Sequence, residues 1–295
     1  MRTLNGLLVV DKPQGITSRD AVDRVQRWFP RRTKVGHAGT LDPLATGVLV
    51  IAVGPCTRLI EYVQDMAKCY TSRFLLGATS DTDDLDGTVT AHPGGVIPTP
   101  NQVEEALASF VGEIEQTPPA YSAAKVAGKR AYALARGGEE VKLAPRQVRV
   151  DSIEIRSYEY PQLEVTIECG KGTYVRSIAR DLGRLLDCGG LVGTLRRERI
   201  GPFLAEEAHS LDGDPEDAAE LLRPASEAVA ALPKVGFGQE EVRRFRNGQP
   251  VRSPGVGGEE GAHVAVMDEA GELVGVATAD PTGQLRSLKV IPGAT

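Results

Sequence analysis

The sequence contains few aromatic residues, cysteines and histidines, and it has no long apolar run. Aromatic residues occupy 5% of the 295 positions, and there are four cysteines and four histidines. Apolar runs such as 48–53 are much shorter than the ~20 residues that a membrane-spanning helix needs. The cysteines, Cys56, Cys69, Cys169 and Cys188, form no Cys-x-x-Cys pair. These absences predict a protein that does not span a membrane and keeps its thiols reduced.

The histidines and the N-terminal residues exclude further classes of protein. His37, His92, His209 and His263 are scattered along the chain, so the sequence predicts no metal site. Residues 1–10 run directly into an apolar strand, without the pattern of a secretory signal. The expected location is therefore the cytoplasm.

Common catalytic motifs are also missing. Residues 170–173 resemble the end of a phosphate-binding loop, but the upstream glycine of a Walker motif is missing. The sequence contains no Gly-x-Gly-x-x-Gly, no His-Glu-x-x-His and no Gly-x-Ser-x-Gly. These absences argue against nucleotide-triphosphate, dinucleotide, zinc-protease and α/β-hydrolase sites.

Charge is distributed unevenly along the chain. The formal net charge is -6, yet residues 1–199 hold 26 basic and 24 acidic side chains, and residues 200–295 hold 8 and 16. The basic clusters of the first part are Arg19, Arg24, Arg27, Arg31, Arg32 and Lys34; Lys125, Lys129 and Arg130; Lys171, Arg176, Arg180 and Arg184; and Arg196, Arg197 and Arg199. Such clusters either follow a phosphate backbone or form solvated helix faces, and the sequence leaves both interpretations open.

Hydrophobic periodicity predicts an α+β fold. A capping box at Thr17 and Asp20 predicts the start of one helix, and Thr99 followed by Pro100 predicts the start of another. Strands are predicted at 7–10, 48–53, 70–76, 147–155 and 163–169, and a helix at 174–186. Long apolar strands that return after helices favour a mixed sheet over a regular βαβ alternation.

The remaining segments predict two domains. Residues 81–87 are expected to form a solvated acidic loop, residues 129–136 a helix, and the acid-rich segment from 206 to about 232 a helical connector. A short helix at 240–245 and a hairpin of 263–267 with 273–277 indicate a small β-rich appendage. We therefore expect one domain at residues 1–232 and a second at residues 233–295.

One loop combines glycines with chemically functional side chains. Residues 36–47 contain three glycines together with His37 and Asp42, and they directly precede the buried strand at 48–53. Glycines allow close approach to the backbone, and loops on a rigid scaffold commonly carry sites. From the residues alone, Asp42 either starts a turn with Pro43 or performs chemistry.

A set of ordered stretches carries a family resemblance. Besides the loop, the stretches are 8–18, 68–70, 116–125 with 131–136, 171–177 and 195–197. Together they resemble the TruB family of bacterial pseudouridine synthases, whose members act on uridine 55 of tRNA. The resemblance implies a mixed, mainly antiparallel sheet flanked by helices, followed by a small β-rich PUA-like RNA-binding domain.

The resemblance also implies catalytic roles for three residues. Asp42 is the expected catalytic aspartate, Arg176 its ion-pair partner, and Tyr70 an aromatic residue that stacks on the target base. Without the resemblance, a tyrosine in a strand is more often part of the core, and Arg176 could pair with another acid. Whether Asp42 attacks the base, attacks the sugar or assists loss of a sugar proton stays open.

Four supporting residues follow from the same resemblance. His37 is expected to stack in the loop or to occupy the vacated place of the target base, and Lys12 to support the loop that carries Asp42. Tyr174 and Leu195 are expected to line the substrate pocket.

The implied function is isomerisation of uridine 55 in the T-arm of tRNA after base flipping. No cofactor, metal or guide RNA is expected, and the enzyme is expected to be a cytoplasmic monomer. Two alternatives are an RNA-binding chaperone that remodels tRNA, with catalysis secondary, and a synthase with another RNA target. The acidic balance of residues 200–295 departs from the expectation for an RNA-binding domain, although a local basic edge is available at Lys234, Arg243, Arg244, Arg246 and Arg252.

Overall fold

The computed structural model describes residues 4–92, 95–122, 125–126, 129–130, 143–252 and 261–292. Within these ranges, helices α1 to α5 span Ser18–Gln26, Ile60–Asp65, Pro100–Ala108, Val175–Leu185 and Gln239–Arg246. Strands β1 to β19 span Gly6–Lys12, Val35–His37, Thr46–Val53, Lys68–Leu76, Ala78–Ser80, Val89–Ala91, Gly112–Gln116, Lys125–Val126, Lys129–Arg130, Arg146–Glu159, Gln162–Cys169, Gly190–Ile200, Phe203–Leu204, His209–Ser210, Lys234–Gly236, Val251–Arg252, His263–Met267, Leu273–Ala279 and Gln284–Val290. Short 3-10 helices occupy Gly54–Leu59, Ala205–Glu207 and Ala225–Val229.

A large mixed sheet forms the centre of the molecule. Its strand order is β14-β1-β3-β12-β4-β11-β10-β7, with β2 beside β3 and β13 beside β12. The pairs β1–β14 and β3–β12 are parallel, and the other neighbours are antiparallel. The expected mixed, mainly antiparallel sheet of an α+β fold is thus confirmed.

Strand β3 is buried on both faces, which explains why its sequence is a continuous apolar run rather than an alternating one. Leu49 and Ile51 belong to one hydrophobic core, which includes residues of α1, α3 and α4. Val48 and Val50 belong to a second core on the opposite face. Burial of each such side chain contributes about 1.5–3 kcal/mol, so the strand that follows the glycine-rich loop is a rigid support.

Helices α1 and α4 pack against the large sheet and carry residues of the functional site described below. Helix α1 starts at the predicted capping box, in which Thr17 accepts a hydrogen bond from the backbone of Asp20 and the Asp20 carboxylate bonds back to Thr17. Helix α4 buries Ile178 and Leu182 against the sheet. It also buries Arg176 and other polar residues of its first two turns. Burial of a charged side chain is unusual, because arginine is rarely fully buried unless it is paired.

A second sheet lies near the C-terminal end, with the strand order β15-β17-β18-β19-β16. It confirms the expected small β-rich unit and the hairpin of β17 with β18. Leu273 and Val276 join the second core of the large sheet. The Lys289 ammonium lies 2.5 Å from Glu61, and Tyr62 and His263 share a hydrogen bond of 3.1 Å, so the second sheet packs directly against α2.

Two secondary-structure predictions differ from the structure. The predicted helical connector from 206 to about 232 contains two short 3-10 helices and strand β14 among turns, because Gly213 has a φ of +83° and Pro215 and Pro224 cannot donate the backbone hydrogen bonds of a helix interior. The predicted helix at 129–136 is wrong at its first two residues, which form strand β9 paired with β8, and the rest lies outside the described residues. No helix within the described ranges is long and apolar enough to cross a bilayer.

Candidate active site

A cleft opens beside the loop that joins β2 to β3. Its volume is about 730 Å³. The loop, the start of α1, the acidic segment 81–88 and the first turn of α4 contribute to its walls. The lining residues are Thr17, Ser18, Arg19, His37, Thr40, Leu41, Asp42, Pro43, Asp81, Thr82, Asp84, Asp86, Gly87, Thr88, Tyr121, Ser122 and Arg176.

Asp42 and Arg176 form an ion pair in this cleft. Nη2 of Arg176 lies 2.9 Å from Oδ2 of Asp42. The Arg176 side chain is 4% exposed, whereas the Asp42 side chain is 29% exposed. The guanidinium is therefore anchored inside the protein, while the carboxylate remains accessible to a ligand in the cleft.

Arg176 is held in place by three further acceptors. Nη1 lies 3.1 Å from Oδ2 of Asp84 and donates to the carbonyl of Thr82 at 2.8 Å. Nη2 also donates to the carbonyl of Tyr121 at 2.9 Å. The planar guanidinium reaches these separate acceptors at once, which the single ammonium of a lysine cannot do.

The prediction of a solvated acidic loop at residues 81–87 is confirmed at Asp81 and Asp86, which are exposed, and is wrong at Asp83 and Asp84. The Asp84 side chain is 4% exposed, and its Oδ1 accepts hydrogen bonds from the Thr82 hydroxyl at 2.5 Å and the Asp86 backbone N–H at 3.1 Å. Asp83 pairs with Arg180 at 2.9 Å. Buried carboxylates need such partners, and the two buried arginines, one turn apart on α4, supply them.

The protonation of Asp42 depends on opposing effects. Burial raises the pKa of the Asp42 carboxyl above its ordinary value, while the charge and hydrogen bond of Arg176 lower it and the like charge of Asp84 raises it. Poor solvation makes the ionised carboxylate more basic, and the neighbouring guanidinium favours its ionised form. The pair is therefore suited to hold a reactive carboxylate beside a ligand.

The loop that carries Asp42 is fixed by side chains beneath it. The Ser18 hydroxyl accepts a hydrogen bond from the Leu41 N–H at 2.8 Å and donates to the Leu41 carbonyl at 3.0 Å. Lys12 is fully buried, and its ammonium donates to the carbonyls of Ile16 at 2.9 Å and Pro43 at 3.5 Å. Burial lowers the pKa of Lys12 to about 8. The residues on both sides of Asp42 are thus held in position.

Comparison with family models identifies the family. Residues 27–175 match the N-terminal domain of the TruB family pseudouridylate synthases. Residues 176–229 match the tRNA pseudouridylate synthase B C-terminal domain, and residues 233–291 match the C-terminal model of pseudouridine synthase II TruB. The chain belongs to the TruB family. It is therefore a pseudouridine synthase, an enzyme that isomerises uridine.

Curated relatives support the same family. The chain is 46% identical over 257 residues to a protein of Ruegeria pomeroyi named tRNA pseudouridine synthase B, covering 84% of both chains. A protein of the same name from Syntrophotalea carbinolica is 40% identical and covers 92% of this chain and 90% of its own. A third, from Xanthomonas campestris, is 38% identical and covers 99% and 96%. The similarity therefore extends over nearly the whole chain.

Solved structures have a fold similar to that of this chain. The protein in a structure of an H/ACA RNP bound to a substrate RNA containing 2′-deoxyuridine is 25% identical, with a TM-score of 0.74 over 98% of this chain and 86% of that chain. The corresponding values for a Cbf5–Nop10–Gar1 complex are 26%, 0.72, 98% and 84%. These similarities agree with the mixed sheet and the C-terminal β-rich unit described above.

His37 and Tyr70 differ in their access to the cleft of this TruB-family protein. His37 ends β2 and lines the cleft. Tyr70 lies on β4 with 8% exposure, belongs to the core that includes α1 and α4, and does not line the cleft. Burial raises the pKa of the Tyr70 hydroxyl. A stacking role for Tyr70 therefore requires that its ring become accessible when a base enters.

Tyr174 and Leu195 also lie outside the cleft walls. The backbone of Tyr174 is fixed by the Gln116 amide, with bonds of 2.7 Å to its N–H and 3.1 Å to its carbonyl. Leu195 lies on β12 and lines a separate groove of about 490 Å³ together with Leu44 and Thr46. Leu44 is two residues from Asp42, so this groove adjoins the same loop. The pocket-lining roles of both residues stay predictions.

Several arginines of the predicted basic clusters are inside the protein. Arg176, Arg180 and Arg197 are 4%, 9% and 2% exposed, and Arg196 pairs with Asp11 at 2.7 Å. For the three buried arginines, neither a phosphate-facing surface nor a solvated helix face describes the structure, whereas the Arg196 side chain is 35% exposed. Their charges hold loops of the enzyme together.

Sequence reasoning missed Ser18 and Asp84 as residues that build the site. Ser18 follows the predicted helix cap, but its bond to Leu41 joins segments far apart in sequence. Asp84 stands in an acidic run that carries no local sign of burial. Among the described residues, no group of three or more His, Cys, Asp or Glu is arranged to hold a metal ion.

Proposed function

We propose that this pseudouridine synthase converts uridine 55 in the T-loop of tRNA to pseudouridine. The observation that carries the proposal is the buried Arg176 guanidinium, which holds the accessible Asp42 carboxylate at 2.9 Å in an open cleft. The substrate class is supported by the relatives named tRNA pseudouridine synthase B. A base in folded RNA must leave its stack to reach such a carboxylate, at a cost of a few kcal/mol.

The reaction exchanges one glycosidic bond for another. The bond from N1 to C1′ breaks, the bond from C5 to C1′ forms, C5 loses its proton and N1 gains one. Product and substrate are isomers, so no oxidant or reductant is consumed. A carboxylate suits this task because it can attack carbon and leave again. Arg176 keeps Asp42 ionised while the detached base turns within the cleft.

The neighbouring residues have supporting roles in this proposal. Tyr70 stacks on the flipped base from β4, which is separated from the loop's own strand β3 by β12. His37 contacts the RNA at the cleft wall, where it lies in the free protein. Lys12 supports the loop through the Pro43 carbonyl. Tyr174 and Leu195 line the pocket once RNA is bound.

The proposal extends to the organisation of the enzyme. We place the domain boundary between residues 232 and 233, which is supported by the C-terminal family match over 233–291 and by the second sheet, whose strands all follow this point. The second domain contacts RNA through a local basic edge despite its acidic balance. The enzyme acts as a cytoplasmic monomer on the T-arm, without cofactor or guide RNA.

The test measures release of tritium from tRNA that carries C5-labelled uridine, because exchange of the glycosidic bond frees the C5 proton. The modified position is then mapped in tRNA from a strain that lacks the enzyme, before and after incubation with the purified protein. A matched tRNA with cytidine at position 55 serves as the control substrate.

We expect tritium release and modification at uridine 55 alone, and no release from the control tRNA. Modification of another position would replace the proposed target by a different RNA site. Tight tRNA binding with no release under any condition would favour the chaperone alternative.

A further inference from the structure

Arg197 lies under the catalytic loop and takes no part in the mechanism proposed above. It is on β12, directly opposite Gly47 of β3 on one side and Tyr70 of β4 on the other. Its side chain is among the largest fully buried side chains of the described residues. The topology thus places one cation between the end of the Asp42 loop and the strand that carries Tyr70.

The guanidinium of Arg197 binds the loop through its backbone. Nε donates to the Val48 carbonyl at 2.8 Å, Nη1 to the Thr40 carbonyl at 3.3 Å and Nη2 to the Gly39 carbonyl at 3.2 Å. Gly39 and Thr40 directly precede Leu41 and Asp42, while Val48 follows the loop. One planar group therefore connects both ends of the loop.

The backbone of Arg197 contacts the same loop. Gly47 has a φ of +100°, and a Cβ there would overlap the carbonyl group of Arg197. The main chain of Arg197 thus packs against the end of the loop at Gly47, in addition to the hydrogen bonds that its side chain makes to Gly39, Thr40 and Val48. This close contact fixes the distance between the loop and β12.

Arg197 has no carboxylate partner within 4 Å in the described part of the chain. Taking an arginine out of water without a counter-ion is costly, and the buried Lys12 and Lys68 add like charges nearby. A hydrophobic residue would fill this core position without that cost. The presence of a buried charge here is best explained by the three loop carbonyls that the guanidinium binds.

We propose that Arg197 is a positioning residue of the synthase. By donating hydrogen bonds to the Gly39, Thr40 and Val48 carbonyls, it fixes the position of Asp42 relative to the sheet and the distance between Asp42 and Tyr70. It contacts neither Asp42 nor the RNA directly, and it acts through the loop backbone and the adjacent strand. The inference rests on the proposed function, since it assigns a role within the same reaction.

The test compares R197K and R197M in single-turnover reactions with C5-tritiated tRNA at saturating enzyme. R197K keeps the charge but loses the fork, and R197M keeps much of the volume but loses the charge. R149K is the control, because Arg149 is an exposed residue of β10, 67% exposed and paired with Asp151. Circular dichroism gives the folded fraction at the assay temperature, and filter binding gives tRNA affinity.

We expect the single-turnover rate of folded R197K to fall at least tenfold and that of R197M at least a further tenfold. The dissociation constant for tRNA should stay within threefold of the native value, and R149K should behave as native. A purely structural role predicts native rates per folded molecule, and rates within threefold of native for R197K overturn the proposal. If R197M does not fold, R197K decides.

A second readout separates positioning from general damage. If Arg197 acts partly through Tyr70, the loss caused by R197K should be smaller in a Y70F background than in the native one. Full additivity of the two losses, together with an equal loss of tRNA binding, contradicts the proposal. Failure of the native protein to release tritium contradicts the proposed function instead, so failure of the Arg197 proposal and failure of the proposed function are distinguishable.

Discussion

Replacement of Arg176 by lysine tests the electrostatics of the site most sharply. The guanidinium reaches Asp42 at 2.9 Å, Asp84 at 3.1 Å and two backbone carbonyls at 2.8 and 2.9 Å. An ammonium at this position keeps the charge but serves fewer of these acceptors. We therefore expect R176K to fold, with Asp42 less firmly held.

The magnitude follows from the contacts that are lost. A hydrogen bond to a charged group contributes about 1.5–3 kcal/mol, and each ~1.4 kcal/mol of lost transition-state stabilisation slows a reaction tenfold. Loss of one such bond to Asp42 predicts a single-turnover rate about 10- to 100-fold lower. Affinity for tRNA should change little, because Arg176 is buried and phosphate contacts supply most of the affinity.

The pH dependence of the R176K reaction rate gives an independent test of the same role. The proposed reaction uses ionised Asp42, so activity should be lost as pH falls through the pKa of this carboxyl. Burial already raises that pKa and Arg176 opposes the rise, so a weaker partner should move the acid limb of the rate profile to higher pH. Single-turnover tritium release across pH measures both effects, with R149K as the control. An unmoved acid limb and a native rate would refute the assigned role of Arg176.

The remaining predictions concern stability and binding. G47A should lower the free energy of unfolding by about 2 kcal/mol or more, because the residue combines a φ of +100° with backbone contact. G271A, with a φ of +80° and open space, should cost less in the same urea titration. Burial lowers the pKa of Lys68 to about 8, so the unfolded state binds more protons than the folded state between about pH 8 and 10.5. The free energy of unfolding of the native protein should therefore rise relative to that of K68M as pH rises through this window. Finally, tRNA affinity should fall steeply with salt, and a flat plot of log Kd against log salt would contradict phosphate binding.

Local signals in the sequence were sufficient for much of the fold. The capping box at Thr17, the apolar run of β3 and the alternation in β10 and β11 each reflect physics within a few residues, and the structure confirms them. The acid-rich connector is not a helix because Gly213, Pro215 and Pro224 interrupt it. Local periodicity therefore predicts elements well only where burial and charge point to the same structure.

The electrostatic framework of the site could not be predicted in this way. Asp84 and Arg197 belong to charge-rich stretches that normally face water, and only contacts between distant segments bury them. Asp42 and Arg176 were identified through the family resemblance, since no local pattern links them. Long-range pairing decides which charges become part of the site, and a single sequence carries little information about it.

The most direct test is the replacement of Asp42 by asparagine, which removes the charge and keeps the shape of the side chain. D151N is the matched control, because Asp151 pairs with Arg149 outside the cleft. The proposed chemistry predicts that D42N binds tRNA within a few-fold of the native affinity and releases no tritium, while D151N retains native activity. Substantial tritium release by D42N would contradict a reaction carried out by this carboxylate.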